Sequence, residues 1–441
     1  MAKGREIEDE QVEKERKDDE FDEEDYIIDN SYYESEEESC NEIDMNTSSS
    51  WLIVDWPRPD KIPKFDTYDD HFRLDLSLGI KPQDADYGCC HVPQLSDELE
   101  NMIAARLPLL EFRKICSLNK RFLEQIKNGD LLRERKLIGV REASVFMLPS
   151  GEKNWWAFDQ KFTFHKALPL LPSDDVFKAL DKESLCAGTQ LLVCGTDVDG
   201  PVIWTYDVLM NKWFKGSSMV EPRCLFASAS TGDTAFVAGG QGLENQEILN
   251  SAEKYDPVTK SWERLPKMKI KRKMCSGVYM DENFYVIGGQ NQTGGVLTCG
   301  EMFDEKKNIW VPIPGILDGL TSTSSRSTHS PPLVAVVNNE LYTIETSTNC
   351  LMVYMKSTNS WRALGQVPVR ADISNGWGVA FKSLGNELLV IGGSKISLSG
   401  FGMTIYTCCP HPNAESLDWK LLDGSSSSRS HFIMNCTVMV A

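Results

Sequence analysis

An aromatic pair with constant internal spacing recurs along the second half of the chain. A Tyr or Phe precedes a Trp by seven residues four times, at Tyr206 and Trp213, Tyr255 and Trp262, Phe303 and Trp310, and Tyr354 and Trp361. Short apolar runs that end in Gly-Gly, as at 239–240 and 288–289, precede two of these pairs. A last copy with Tyr406 and Trp419 has a longer insertion before the tryptophan. The tryptophans recur about every fifty residues, so the chain repeats one small structural unit.

A period of about fifty residues with Gly-Gly and an aromatic pair is the signature of the kelch repeat. Its four short strands form a sheet that cannot bury both faces alone, so such sheets pack around an axis as propeller blades. We expect the paired glycines to close a strand where the backbone needs positive φ, and each tryptophan to fill the space between blades. A β-sandwich with chance aromatics is the alternative, but it does not require four equal gaps in register.

The repeat predicts an all-β propeller of six blades over residues 142–441. The first blade is one strand short, with strands expected near 144–148, 155–159 and 161–165. The C-terminal run 431–441 has no blade of its own, so we expect it to supply the missing inner strand and close the ring. Glu345-Thr346 replaces Gly-Gly in the fifth blade and predicts a distorted strand end. The other blades are expected at about 182–216, 224–265, 274–313, 331–364 and 376–422.

The N-terminal part of the chain is strongly acidic. Residues 1–44 hold 20 Asp/Glu against 5 Lys/Arg, a net charge of −15, whereas the rest has 45 acidic and 41 basic residues. High charge with little periodicity predicts a disordered acidic tail over 1–90. Leu74, Leu76 and Leu78 form an LxLxL string that resembles a plant co-repressor-binding motif, whereas a chance match is the alternative. The nearly balanced remainder disfavours a nucleic-acid partner, because phosphate binding needs a basic surface.

The composition gives no sign of a secreted, membrane-bound or catalytic protein. The N-terminus lacks a secretory signal and the chain lacks an apolar run near 18 residues, so we expect a nuclear or cytoplasmic protein and no membrane partner. The thirteen cysteines include no CxxC, and the six histidines are scattered. This pattern favours reduced, buried thiols over disulfides or zinc. We therefore expect no catalytic residue, no cofactor and no metal.

Residues 91–138 carry a different periodicity, which predicts a small helical domain. Asp97 is a candidate N-cap with Glu100 three residues later, and apolar residues then recur at helical spacing. Further apolar stripes begin at Phe112 and Phe122, and Leu131–Ile138 predicts a fourth short helix. A domain of about 45 residues is too small to bury a satisfactory core, so part of its apolar surface should be kept for a partner.

The segment LSDELENMIAARLPLLEFRKICSLNKRF resembles the F-box. Leu95, Leu99, Ile103, Arg106-Leu107-Pro108 and Lys120-Arg121-Phe122 match that family's pattern, whereas Ser96 stands at its usual proline and Phe122 at its tryptophan. A plain helical cap on a propeller is the alternative. Followed by kelch repeats, the segment makes residues 92–441 resemble the plant F-box/kelch-repeat family, and several phrases resemble its Skp-interacting-partner branch.

The resemblance implies a substrate receptor of an SCF-type ubiquitin ligase, which carries out no chemistry itself. Its partners would be a Skp adaptor, a cullin-RING core reached through that adaptor, and an unidentified protein substrate. The resemblance places adaptor binding on the apolar residues of the helical domain, namely Leu95, Leu99, Ile103, Leu107, Pro108, Phe112, Ile115 and Phe122.

Two other functions are alternatives to this one. A kelch scaffold or transcriptional adaptor without ligase activity would use the LxLxL string and the acidic tail. A propeller oxidase would need a Tyr–Cys cross-link and clustered histidines, and such enzymes are usually secreted.

The loops of one propeller face are expected to bind the substrate. Antiparallel strands bring the following loops to one side: Gln241–Asn250, Gln290–Thr298, Asp318–Ser330, Ser394–Gly402 and Ser425–Ser430.

Four arginines are expected beside these loops. Arg223 and Arg272 each follow a methionine by four residues, and Arg370 and Arg429 occupy similar positions before a blade. A ring of these four arginines would suit an acidic or phosphorylated peptide. The alternative is that they are solvated or pair with local carboxylates. Lys267–Lys273, KMKIKRK, is interpreted as part of the same basic rim or as a nuclear import signal.

Overall fold

A computed structural model describes residues 95–320, 330–371, 376–393, 402–423 and 429–441. All of them belong to one unit, which spans Cys89–Ala441. The predicted acidic tail and its Leu74, Leu76 and Leu78 lie outside the described residues.

Four short helices precede the strands, and a fifth lies between the first two blades. They are α1 (Asp97–Ala104), α2 (Phe112–Cys116), α3 (Lys120–Lys127), α4 (Asp130–Leu137) and α5 (Asp175–Ala179), with a 3₁₀ turn at Leu109–Glu111. The N-cap of α1 is Ser96, whose hydroxyl accepts the Leu99 N–H at 3.3 Å, and not the expected Asp97. The residue that departs from the F-box pattern therefore starts the helix. None of the helices in the described ranges is long and apolar enough to span a membrane.

The described strands form a six-bladed propeller, as the sequence predicts. Blade 1 contains β1 (Ala143–Pro149), β2 (Trp156–Asp159), β3 (His165–Ala167) and the C-terminal β26 (Ile433–Val440). Blade 2 contains β4 (Glu183–Ala187), β5 (Gln190–Asp197), β6 (Gly200–Asp207) and β7 (Lys212–Lys215). Blade 3 contains β9 (Ala227–Ser230), β10 (Ala235–Ala238), β12 (Ala252–Asp256) and β13 (Ser261–Leu265), beside a short ribbon of β8 (Arg223–Cys224) and β11 (Gln241–Gly242).

The remaining blades follow the same antiparallel order. Blade 4 contains β14 (Ser276–Met280), β15 (Asn283–Ile287), β16 (Gly300–Asp304) and β17 (Ile309–Ile313). Blade 5 contains β18 (Val334–Val337), β19 (Glu340–Glu345), β20 (Cys350–Met355) and β21 (Ser360–Gln366). Blade 6 contains β22 (Ala380–Leu384), β23 (Glu387–Gly393), β24 (Met403–Cys408) and β25 (Lys420–Asp423).

The C-terminal strand closes the ring. β26 pairs antiparallel with β1 from Ala143 opposite Val440 to Pro149 opposite Ile433. The innermost strands β26, β4, β9, β14, β18 and β22 each contact the next, and β22 contacts β26. The two ends of the propeller sequence thus share one sheet, which leaves no open edge between the last blade and the first.

Two details of the expected blades are wrong. The third strand of blade 1 is β3 and not 161–165, because Asp159 holds the intervening residues in a turn: its carboxylate accepts the Phe164 N–H at 2.7 Å and the Thr163 hydroxyl at 2.8 Å. In blade 5, β19 runs regularly to Glu345, which pairs with Cys350, so the missing Gly-Gly does not distort the strand end.

The repeated aromatic pair joins each blade to its surroundings. Tyr255 and Trp262 are direct cross-strand partners with ring centroids 4.9 Å apart, and the other three pairs repeat this geometry. The Trp262 indole N–H donates to the Ser217 carbonyl in the preceding connection at 3.0 Å. Trp213, Trp310, Trp361 and Trp419 donate in the same way to the carbonyls of Pro169, Pro266, Ile316 and Gln366. Each tryptophan therefore both packs between blades and fixes a connection.

The Gly-Gly pair in blade 3 lets two connections approach the strand end. Gly239 and Gly240 have φ of 66° and 92°. A Cβ on Gly239 would lie 2.5 Å from the Arg272 carbonyl, and one on Gly240 would lie 2.4 Å from the Cys224 carbonyl. A side chain at either position would therefore displace backbone as well as strain φ.

Buried ion pairs hold two blade-to-blade connections. Arg223 contacts Glu253 at 2.6 Å, and Arg272 contacts Glu301 at 3.2 Å, with both partners buried in each pair. The Glu301 carboxylate also accepts the N–H groups of Lys269 and Ile270, at 2.7 and 3.0 Å. These bonds satisfy a carboxylate that would otherwise be costly to bury, and they fix the path of the connection.

We expect deletion of residues 432–441 to abolish cooperative thermal unfolding, because β1 then loses its inner partner and the ring opens. Circular dichroism melts measure this. Met434→Ser, a change at a half-exposed side chain of β26, is the control and should melt like the wild type. An unchanged melting temperature in the deleted protein would refute closure by β26.

We expect Arg272→Met to destabilise the protein by about 3–5 kcal/mol, because the Glu301 carboxylate is left buried without its cation. Arg272→Met/Glu301→Gln should recover part of that loss, since no buried charge remains and the Gln carbonyl can still accept one of the two backbone N–H groups. Urea unfolding measures both. Lys306→Met, which breaks only an exposed ion pair with Glu282, is the matched control and should change stability by less than about 1 kcal/mol. A similar loss in the control would contradict the role of burial.

Candidate functional site

The helical domain presents one exposed apolar row. Leu95, Leu99 and Ile103 are 52%, 45% and 54% exposed and stand four residues apart on and just before α1. Residues at this spacing share a helix face. Half-exposed leucine and isoleucine in a row form a surface that a partner can cover.

An arginine fixes α1 against α3. The Arg121 guanidinium contacts Asp97 at 2.6 Å and Glu100 at 2.9 Å, and it donates to the Asn101 side chain at 3.1 Å. Gln125 donates to the same Asn101 oxygen at 2.9 Å. These contacts lie on the side of α1 away from the apolar row, so they orient the row without covering it.

Most of the other candidate adaptor-binding residues are less accessible. Leu107 and Phe122 are partly buried, and only Pro108 among them is exposed. Phe112 and Ile115 are buried in a core shared with blades 1 and 2, which includes Phe146 and Trp213. Their assignment to the adaptor surface is wrong: the propeller supplies the partner surface that the helical domain lacks.

A buried arginine connects the helical domain to the propeller. Arg135 in α4 donates to the carbonyls of Ala105 and Leu107 at 2.9 and 2.6 Å, and its guanidinium contacts Glu142 at 3.1 Å. The Glu142 carboxylate also accepts the Leu109 N–H at 2.9 Å. The segment that carries the apolar row is thus bonded to the residue immediately before β1. The sequence alone does not predict this role of Arg135, because it is one of several charged residues in a short helix.

Helices α1–α4 lie on one face of the propeller. Antiparallel strands place the turns between first and second strands, and between third and fourth strands, on the same face. Lys136 contacts Asp233, in such a turn of blade 3, at 2.6 Å, and Glu142 and Ala441 exchange backbone hydrogen bonds beside β1 and β26. We call this the helix-side face and the opposite one the far face.

The far face carries the loops expected to bind substrate. Gln241–Asn250 and Gln290–Thr298 lie there in full, between second and third strands. The predicted loops Asp318–Ser330, Ser394–Gly402 and Ser425–Ser430 include residues outside the described ranges.

The predicted arginine ring does not form on the far face. Arg223 and Arg272 are buried in the ion pairs with Glu253 and Glu301, and burial lowers the pKa of the Arg223 guanidinium while Glu253 opposes the shift. Their assignment as substrate ligands is therefore wrong. The alternative of pairing with carboxylates holds for both, but these carboxylates are not local in the chain, because each glutamate lies some thirty residues after its arginine.

The other two arginines differ from each other. Arg370 is exposed between β21 and β22. Arg429 is partly buried, and its guanidinium lies 3.9 Å from the ring centroid of Trp156, a contact that holds it against blade 1.

The inner strands begin around a cavity of about 230 Å³ at the far face, which Glu183, Lys382, Met434 and Trp377 help to line. Burial raises the pKa of Glu183 to about 8, opposed by the Leu225 N–H that its carboxylate accepts. Nearby thiols are also perturbed by burial, which raises the pKa of Cys186 to about 12 and that of Cys436 to about 11. These thiols stay protonated near neutral pH and are poor nucleophiles.

No group of three or more His, Cys, Asp or Glu side chains in the described residues could hold a metal ion. What the molecule offers is two separated surfaces, an apolar row beside the helix-side face and the loops of the far face.

Comparison with known proteins agrees with this architecture. The family described as Kelch motif matches residues 222–269 and 271–315, which cover blades 3 and 4 with their preceding connections. The F-box/kelch-repeat protein At3g27150 of Arabidopsis thaliana is 48% identical over 370 residues, covering 83% of this chain and 87% of the relative. The F-box/kelch-repeat proteins At1g26930 and SKIP11 of the same plant are 39% and 40% identical and each cover 75% of this chain, and 78% and 70% of their own lengths. With this similarity over both the helical domain and the propeller, the chain belongs to the plant F-box/kelch-repeat family.

Proposed function

We propose that this protein is the substrate-recognition subunit of an SCF-type ubiquitin ligase. The α1 row of Leu95, Leu99 and Ile103 binds a Skp adaptor, which joins the protein to a cullin-RING core. The far face of the propeller binds the protein to be ubiquitinated. The exposed apolar row carries this proposal, because nothing within the described chain covers it.

The rigid connection between the two surfaces supports the same function. Five residues separate α4 from β1, and Arg135 and Glu142 bond across them. Such a receptor carries out no chemistry of its own. It raises the local concentration of a substrate lysine near the ubiquitin-charged enzyme and fixes its orientation. The cullin-RING machinery acts inside cells, so the proposal places the protein in the nucleus or the cytoplasm.

We expect Leu99→Asp/Ile103→Asp to weaken Skp adaptor binding by about 100-fold or more, because two charges would replace apolar anchors at the centre of the contact. Co-purification and titration calorimetry with the adaptor measure the loss. Leu118→Asp/Leu137→Asp is the matched control, since both leucines are exposed in the same domain but lie outside the row.

Thermal melts of both double variants should match the wild type, because all four side chains are solvent-exposed. Equal adaptor recovery from the row variant and the wild type would overturn the F-box role. Adaptor binding without substrate ubiquitination in a reconstituted ligase would favour a scaffold.

A further inference from the structure

The connection between blades 3 and 4 displays three lysines at alternate positions. Lys267, Lys269 and Lys271 are exposed, whereas Met268 and Arg272 point into the protein and are buried. We call the three exposed residues the lysine ridge. As part of a blade-to-blade connection, the ridge lies on the far face, opposite α1–α4.

The backbone of the lysine ridge is held in place by buried groups. Lys269 and Ile270 donate their N–H groups to Glu301, and Arg272 donates to the carbonyls of Gly288 and Cys299 at 2.9 Å. Met268 exchanges two hydrogen bonds with Asn250, at 2.7 and 2.8 Å. A partner that binds the ridge therefore needs to order only the lysine side chains and not the loop.

The fold does not require these lysines. The preceding connection, between blades 2 and 3, has the same buried scaffold: Met219 is buried, and Glu253 accepts the N–H groups of Val220 and Glu221 at 2.7 and 3.0 Å. Its residues equivalent to Lys267, Lys269 and Lys271 are Ser218, Val220 and Pro222. Three like charges within five residues repel one another and add no stability to the connection.

Local carboxylates neutralise the ridge only in part. In the portion of the chain that the structure describes, Lys271 lies 3.7 Å from Glu247, and both side chains are at least half exposed. The ammonium groups of Lys267 and Lys269 have no carboxylate within 4.0 Å among those residues. Ile270 adds an exposed apolar side chain between the lysines.

We infer that the lysine ridge binds an acidic segment of the protein substrate. The inference rests on the proposed receptor function, because the ridge lies on the face assigned to substrate. A lysine ammonium group acts as a point charge whose three N–H donors rotate freely. It can therefore bind a carboxylate without a fixed bidentate geometry. The fitting segment is rich in Asp or Glu and carries an apolar residue to cover Ile270.

Fluorescence anisotropy with a labelled twelve-residue peptide of alternating Glu and Leu tests the inference on the full chain bound to its Skp adaptor. Lys267→Gln/Lys269→Gln/Lys271→Gln should bind this peptide about tenfold or more weakly than the wild type. Lys212→Gln/Lys306→Gln/Lys307→Gln removes the same charge from the helix-side face and should change the affinity by less than about twofold. A peptide with Gln in place of Glu should bind weakly to all three proteins.

Equal affinity of the two triple variants for the Glu peptide would overturn the inference. So would tighter binding of a twelve-nucleotide single-stranded DNA than of the Glu peptide, because the ridge would then attract any polyanion. Adaptor recovery is measured on the same samples. If the adaptor does not bind the wild type, the receptor function is wrong. If the adaptor binds but the ridge variant keeps the wild-type affinity for the peptide, only the role of the lysine ridge is wrong.

Discussion

The pairing of β26 with β1 is the contact on which the rest of the structure depends. It completes the inner ring of strands, and it brings the C-terminal Ala441 beside Glu142. Glu142 in turn accepts the Leu109 N–H and the Arg135 guanidinium, which hold the end of the α1 segment. The last residue of the chain, the first strand of the propeller and the helical domain therefore meet at one place. Opening the ring would also release the helices, because their anchor is part of the closing sheet.

In two connections, the buried residues that hold the backbone are distinct from the residues that face solvent. In blades 3 and 4, a methionine, an arginine and a distant glutamate are buried and hold the backbone, and a tryptophan N–H fixes the start of the connection. The residues between them lie toward solvent and differ between the two copies, Val-Glu-Pro in one and Lys-Ile-Lys in the next. A scaffold that keeps its geometry while its exposed residues change is suited to binding different partners on related proteins.

The two proposed binding surfaces lie at opposite ends of the blade strands. Arg121 and Arg135 hold the apolar row of α1 in a fixed orientation beside the helix-side face, and the lysine ridge lies on the far face. Under the proposed function, a substrate on the far face would be held at a set distance from an adaptor at α1. That fixed geometry would be the receptor's contribution to the reaction.

The sequence by itself determined the six blades, the closing strand and four helices, because periodicity and aromatic spacing report local backbone structure. Only the tertiary structure decided which polar and apolar residues are buried. In the sequence, Arg223 and Arg272 look like surface ligands. In the fold they are paired with Glu253 and Glu301, which lie on strands some thirty residues further along the chain. In the sequence, Phe112 and Ile115 look like part of a partner-binding surface, but in the fold blades 1 and 2 cover them. The burial of a side chain depends on contacts with residues that are distant in the sequence, and a local sequence pattern does not contain that information.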